Sequence, residues 1–249
     1  MPIIPQDINF IIDFDSTFIK LEGLDELARI SLQDDPNRNE KFKEIQEVTK
    51  LGMEGKLTFP QSLNKRLLLF KTNKKYIQTT LEYLKQNITS SFEQNKEFIS
   101  KNANQFFILS GGFKDLIIPI TNKFKIPEAH IFANGFKFDK LGNVIGVDEN
   151  NLLAQEKGKV KTVRWLKGLK VNGFEPKAHP PLAEKVERLG GKIYVIGDGY
   201  SDYEIFEAGL CDKFFAFTEN VTRVAVTSKA EDVVGSLDEL MQKISSSFY

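Results

Sequence analysis

The sequence predicts an α/β fold: a doubly wound, Rossmann-like parallel sheet with a helical domain inserted after its first strand. Three observations predict it. Short runs of consecutive apolar residues recur along the chain, most of them stop at Gly, Ser or Asp, and one long block between the first two runs carries helical periodicity with no convincing strand. Consecutive apolar positions, as opposed to alternating ones, suit strands covered on both faces, as in a parallel sheet. With 249 residues and 41% hydrophobic content, the chain can bury a full core of that kind.

The first strand is read in Ile8-Asn9-Phe10-Ile11-Ile12-Asp13-Phe14. From Leu21 to about Asn87 the pattern changes to long amphipathic helices, as in Leu24, Leu27 and Ala28 and again from Ser62 to Phe70. The second strand, Phe106-Phe107-Ile108-Leu109, ends at Ser110-Gly111-Gly112. Residues 131–138 followed by 141–146 alternate around a glycine-containing turn and predict a hairpin. Ile193-Tyr194-Val195-Ile196 ends at Gly197-Asp198-Gly199, and Lys213-Phe214-Phe215-Ala216-Phe217 forms the last run. Strands joined through helices imply right-handed crossovers, and the ligand site of such a sheet lies beyond the carboxyl ends of its strands, where the polar motifs of this chain sit. The stretch 171–191, with Pro176, Pro180 and Pro181, reads as an irregular surface excursion or a partner contact, and Ser245-Ser246-Ser247 as a loose terminus.

Composition excludes several classes. Lys+Arg and Asp+Glu are equal at 34 each, so no global field draws the chain onto nucleic acid or a membrane, and attraction for an anion must be local. The single cysteine, Cys211, excludes an intrachain disulfide framework, and His130 and His179 lack the spacing of zinc ligands. The first seven residues show no basic region leading into a long apolar run, and no later stretch approaches membrane-spanning length, so the chain is expected to be soluble and cytoplasmic.

Chemistry is carried by residues at the strand ends. Asp13 and Asp15 stand two apart, so in extended backbone both side chains project to one side. Such a pair can divide labour, one carboxylate ionised as nucleophile and metal ligand, the other held protonated as general acid by the like charge beside it. The alternative is a turn with a helix cap. In Ser110-Gly111-Gly112 the glycines let backbone N–H groups approach a phosphate and the hydroxyl adds a donor, although a plain strand-to-helix turn explains the triplet equally. In Gly197-Asp198-Gly199-Tyr200-Ser201-Asp202 two carboxylates one helical turn apart can face one centre, as Mg²⁺ with its hard oxygen ligands requires; a solvated, capped loop is the alternative. The basic residues of Lys157-Gly158-Lys159-Val160-Lys161 suit a solvated helix start, yet an aspartate nucleophile beside a dianionic phosphate needs a fixed cation.

Taken together and in this order, DxDST, SGG, a lysine and GDGxxD resemble the haloacid dehalogenase superfamily of phosphohydrolases, and within it the phosphoserine phosphatase family. The resemblance extends into the insertion through Leu21-Glu22-Gly23-Leu24-Asp25-Glu26-Leu27-Ala28, Met53-Glu54-Gly55-Lys56-Leu57-Thr58-Phe59 and Gln61-Ser62-Leu63-Asn64-Lys65-Arg66. It implies a core domain over 1–20 and 88–249, a helical cap domain over 21–87, and Mg²⁺-dependent hydrolysis of a small phosphomonoester, L-phosphoserine, in serine biosynthesis. It further implies Mg²⁺ on Asp13, the Asp15 carbonyl and Asp198, with Asp13 as nucleophile and Asp15 as acid and base. Ser110, Gly111, Gly112 and Lys159 are to hold the phosphoryl group, and Asp202 to orient Lys159 or the waters on the metal. Glu22 is to meet the substrate ammonium and Arg66 its carboxylate, with Met53 and Phe59 closing an apolar wall; without the resemblance these four default to solvated or core residues.

Three departures stand out. Lys157-Gly158-Lys159 replaces the usual Gly-Gly-Lys, leaving open which lysine meets phosphate; Thr218-Glu219-Asn220 replaces Gly-Gly-Asn; and Tyr200 fills a position that is generally small. Two alternatives remain at this point: a phosphotransferase, or phosphatase for another small phosphorylated amine or alcohol, and a receiver-like signalling domain that stores phosphate on an aspartate.

Overall fold

The computed structural model describes residues 5–171 and 189–246. The chain runs through β1 (Ile8–Ile12), α1 (Gly23–Ser31), α2 (Arg38–Met53), α3 (Phe59–Leu68), α4 (Lys74–Leu84), α5 (Ser90–Gln94) and α6 (Lys96–Lys101). It continues through β2 (Phe106–Phe113), α7 (Lys114–Thr121), β3 (Ile131–Asn134), β4 (Phe136–Phe138), β5 (Val144–Val147) and α8 (Gly158–Leu166). The last elements are β6 (Lys192–Gly197), α9 (Tyr200–Glu207), β7 (Lys213–Phe217), α10 (Val224–Thr227), β8 (Asp232–Val234) and α11 (Leu237–Ser246).

Six strands form one sheet in the order β3-β2-β1-β6-β7-β8, every pair parallel. The apolar runs are continuous because both faces of this sheet are covered. In β1, Ile8, Phe10 and Ile12 join one core cluster while Ile11 joins the other; in β6, Tyr194 and Ile196 face the first, Ile193 and Val195 the second. From β1 the chain proceeds outward to β2 and β3 on one side, and from β6 outward to β7 and β8 on the other. The strand order therefore reverses at β1/β6, and a crevice opens beyond their carboxyl ends.

The insertion between β1 and β2 is helical, as its periodicity predicts. Its chain leaves and re-enters the core side by side: Ile19 and Ile88 form an isolated antiparallel bridge, the Lys20 N–H donates to the Asn87 carbonyl at 2.9 Å, and the Thr89 N–H donates to that of Phe18 at 3.0 Å. Two readings are corrected and one strand is added. Residues 131–134 belong to the parallel sheet as β3, paired with β2, and the hairpin consists of β4 and β5 alone, with Gly135 between the two segments. Ser245 and Ser246 are not loose but close α11, where each hydroxyl donates to the carbonyl four residues earlier. The short edge strand β8 begins at a charged residue and gave no apolar run to read. Most of 171–191 lies outside the described residues. Among the described residues no helix is long and apolar enough to cross a membrane.

Candidate active site

Asp13 follows directly on β1 and is 4% exposed. Its Oδ1 accepts the N–H of Phe14 at 2.7 Å and the ammonium of Lys159 at 2.8 Å. Beyond it the chain stays extended at Asp15 and then turns through left-handed Ser16 (φ 55°), so both carboxylates enter the same cavity. Oδ1 of Asp15 accepts the N–H of Gly23 at 2.8 Å, and its Oδ2 lies so near Gly112 that a Cβ there would approach it to 3.0 Å. Burial, then the charges of Glu22 and Asp13, push the Asp15 carboxyl well above the usual carboxylate range, which favours its protonated form.

Lys159 lies in the first turn of α8, 7% exposed, with Nζ 2.8 Å from both Asp13 Oδ1 and Asp202 Oδ1. Burial alone would lower its pKa; the two carboxylates outweigh that and fix it as a cation. The helix starts here because Gly158 lets it press on the preceding turn: a Cβ on that residue would stand 2.5 Å from the Leu152 carbonyl oxygen. Lys157 also lines the cavity but is exposed, whereas Lys159 is the one buried against Asp13 and Asp202. Asp202, one turn into α9, is buried and also accepts the N–H of Gly199 at 3.3 Å.

Asp198 follows β6. Its Oδ1 accepts from the Thr17 hydroxyl at 3.1 Å and its Oδ2 from Nε of Arg223 at 2.6 Å. Burial pushes it up to about 7, with Arg223 opposing and the charges of Glu22 and Asp13 adding. Ser110, fully buried at the bend of β2, accepts the Gly112 N–H on Oγ at 2.9 Å.

The cavity above these groups has a volume of about 250 Å³, and its lining includes Asp13, Asp15, Glu22, Met53, Phe59, Arg66, Gly111, Gly112 and Lys159. Every candidate site residue is thus a wall of the cavity or, for Ser110, Asp198 and Asp202, buried within this cluster. Glu22 Oε1 accepts from the Ser16 hydroxyl at 2.7 Å and from Arg223 at 3.1 Å; burial raises its pKa, and Asp25 adds to the shift. Arg66 is buried and anchored on Asp25 at 3.3 Å and Thr49 at 3.2 Å.

Arg223, Thr17, Asp25 and Thr49 were missed by sequence reasoning. Thr17 stood inside a quoted motif without a role; Arg223 precedes the short α10, with no strand end or glycine turn beside it to mark it. The departure at Thr218-Glu219-Asn220 leaves the cavity untouched. Glu219 turns to Ser91, taking its N–H at 3.0 Å and its hydroxyl, while Asn220 donates to the Ser16 carbonyl at 3.0 Å and so steadies the Asp15 turn.

Comparison with known proteins decides the family. The chain is 30% identical over 229 residues to phosphoserine phosphatase of Bos taurus, spanning 92% of this chain and 89% of that protein. The chain belongs to the phosphoserine phosphatase family. The Homo sapiens phosphoserine phosphatase is 29% identical over 232 residues, 93% of this chain and 91% of that protein. A solved phosphoserine phosphohydrolase-like protein from Francisella tularensis superposes with a TM-score of 0.79 at 30% identity, covering 95% of this chain and 99% of that one. No family model matches the chain. As a member of the phosphoserine phosphatase family, the chain has the α/β core and helical cap that its motifs implied, and the haloacid dehalogenase resemblance is borne out.

Proposed function

We propose that this chain is a Mg²⁺-dependent phosphomonoester hydrolase that converts L-phosphoserine to L-serine and phosphate through a phospho-aspartate on Asp13. The observation that carries the reading is the pairing, in one cavity, of a carboxylate held by a buried lysine with a second carboxyl two residues on, whose burial and anionic neighbours raise its pKa. Asp13 attacks phosphorus in line. As the P–O bond to serine breaks, the departing oxygen takes the proton of Asp15. Asp15, now a carboxylate, removes a proton from the incoming water, whose oxygen attacks phosphorus; the bond to Asp13 breaks and phosphate leaves. Ser110, the backbone of Gly111 and Gly112, and Lys159 hold the transferring oxygens, and Asp202 holds Lys159.

Mg²⁺ fits this donor set. Asp13, Asp15, Glu22, Asp198 and Asp202 crowd round Lys159 and Arg223, a surplus of acid that burial and mutual repulsion express as raised pKa values at Asp198 and Asp202. Asp13 and Asp198, with the Asp15 carbonyl, would hold the ion, and water would complete its shell. Bound there, Mg²⁺ supplies charge neutralisation to the transferring phosphoryl group.

For the headgroup, we assign Glu22 to the ammonium and Arg66 to the carboxylate, since an anchored guanidinium matches a carboxylate in planar geometry. Met53 and Phe59 form the apolar wall. We divide the chain at 21–87, supported by the paired strands of backbone at Ile19 and Ile88. We place the reaction in the cytoplasm, where the lone thiol of Cys211 stays reduced. A receiver-like switch loses its ground, because the family is hydrolytic and Asp15 is positioned to discharge the intermediate.

The test is phosphate release from a panel of small phosphomonoesters with Mg²⁺. L-Phosphoserine is expected to be preferred, Asp13→Asn to abolish turnover, and Glu22→Gln and Arg66→Ala each to erase the preference. Substantial release by Asp13→Asn overturns the nucleophile; an intact preference in both headgroup variants overturns the substrate.

A further inference from the structure

Along the seam between insertion and sheet, bulky side chains meet bare glycine backbone three times. A Cβ added to Gly111 would lie 2.4 Å from Cε2 of Phe59, one on Gly199 3.4 Å from Sδ of Met53, and one on Gly55 2.7 Å from Cδ1 of Tyr200. In the first two the insertion supplies the side chain and the core the glycine. In the third the roles reverse: the core supplies the ring, and the insertion the glycine. Met53 and Phe59 already have a part in the proposed substrate wall. Tyr200 has none in the reaction, and it is the bulky residue the sequence placed where a small one is usual.

Tyr200 is held firmly on the core side. It opens α9; Lys229 stands with Nζ 4.6 Å from its ring centroid and 3.4 Å from its hydroxyl, and the ring of Tyr203 lies 5.9 Å away. Two residues on, Asp202 holds Lys159, so the ring is in fixed register with the reacting groups. On the cap side, Gly55 adopts φ +75° in the turn that ends α2, closed by the Gly55 N–H on Gly52 at 3.0 Å and the Lys56 N–H on Leu51 at 2.8 Å. That turn is short and bonded at both ends, so where Gly55 rests also sets where Met53 and the start of α3 rest. Tyr200, Gly55, Met53 and Phe59 all line the cavity.

We propose that Tyr200 is the core's half of a cap latch: its ring seats Gly55, fixes how far the 53–59 loop closes over the cavity, and so selects small headgroups. This rests on the reading of the cavity as the phosphoserine site. Tyr200 is a positioning residue, acting through Met53 and Phe59.

Two readouts separate the latch from that reading. In the first, kcat and KM are measured for L-phosphoserine and for p-nitrophenyl phosphate in wild type, Tyr200→Ala, Tyr200→Phe, Gly55→Ala and the double variant Gly55→Ala/Tyr200→Ala. Tyr200→Ala is expected to raise KM for L-phosphoserine by about tenfold, with a smaller change in kcat, and to shift discrimination towards the larger ester. Tyr200→Phe is expected to restore the discrimination, since the ring seats the glycine. Gly55→Ala is expected to cost more in wild type than in the Tyr200→Ala background, where the clash is gone. In the second readout, hydrogen exchange of amides 53–59 in the free protein is expected to speed up in Tyr200→Ala while the sheet amides stay unchanged. Unchanged discrimination with unchanged exchange, or strictly additive effects at 55 and 200, overturns the latch. Faster exchange at 53–59 in a protein that shows no preference for L-phosphoserine keeps the latch and overturns only the substrate.

Discussion

Lys159 is the residue on which the charge balance of the site turns. It is buried between Asp13 and Asp202, 2.8 Å from each, and both carboxylates are themselves nearly inaccessible. Replacing it by Met leaves two buried anions without their cation, a change that costs about 3 kcal/mol when one partner of a buried pair is removed. Denaturant unfolding of Lys159→Met at pH 7 is expected to show a loss of that size, shrinking as the pH falls and Asp202, whose carboxyl burial and Asp13 hold above the usual range, takes up a proton; an unchanged midpoint contradicts it. Cys211 supplies a pH test far from the chemistry. Burial, with Asp212 adding and Lys167 opposing, pushes its thiol from 9.0 up to about 12. A raised acid keeps its proton in the folded state, so this stability is full below pH 9.0 and is lost as the pH rises towards 12. At pH 8 iodoacetamide is expected to label Cys211 far more slowly in folded than in urea-unfolded protein; equal rates contradict its burial. At this scale Asp13, Ser110 and Asp198 were legible because each stands where an apolar run stops. Arg223 was not, since its partners Asp198 and Glu22 come from 25 and 201 residues away and no local pattern points to them.

The elements differ in how much of them the sequence exposed. β1, β2, β6 and β7 were legible because strands buried on both faces are apolar throughout, whereas β3 and β8 lie at the sheet edges, where that requirement lapses. Residues 131–134 were therefore drawn into the neighbouring hairpin by their alternation. The hairpin has a mechanical place of its own: the Val144 N–H donates to the Thr72 carbonyl at 3.0 Å and the Lys74 N–H to that of Gly142 at 3.0 Å, so it braces the start of α4 against the core. The helical pattern read from Ser62 to Phe70 corresponds to α3, which starts three residues earlier, at Phe59. Thr58 accepts the Gln61 N–H, and the Gln61 side chain accepts that of Thr58 at 3.0 Å, a reciprocal cap placed immediately before Phe59. Thr58→Ala is expected to cost about 1 kcal/mol in denaturant unfolding. Because that turn carries Phe59, the same variant is expected to raise KM for the phosphomonoester more than it lowers kcat. A loss confined to kcat contradicts the wall assigned to Phe59.

At the scale of the whole molecule, the insertion is two layers of unequal attachment. α4 packs on α7 of the core and on α1, and α1 buries six of its nine residues. Leu24, Leu27, Ala28, Ile77, Leu81 and Leu84 share a cluster with Phe10, Phe14, Ile12 and Leu116, so this layer unfolds only with the sheet. α2 packs on α1 and on α3, and α3 reaches α1 through the Arg66–Asp25 pair; α2 buries Ile45, Val48 and Thr49 alone out of 16 residues, and two of the three buried residues of α3 are Ser62 and Arg66. Each helix puts one buried apolar side chain, Ile45 and Leu63, into the main core cluster, and the seam of Met53, Gly55 and Phe59 over the cavity adds to that hold. Local opening follows the least buried apolar area, so a lid movement belongs to α2 and α3, and the hinge lies within the insertion at α1, away from the chain crossing at Ile19 and Ile88. Hydrogen exchange at pH 7 is therefore expected to be slow in α1 and α4, close to the rate of the sheet, and clearly faster in α2 and α3. L-Phosphoserine added to the Asp13→Asn protein with Mg²⁺ is expected to slow α2 and α3 selectively. If α1 and α4 exchange as fast as α2 and α3 and all four slow together, the insertion moves as one body and the division into two layers is wrong.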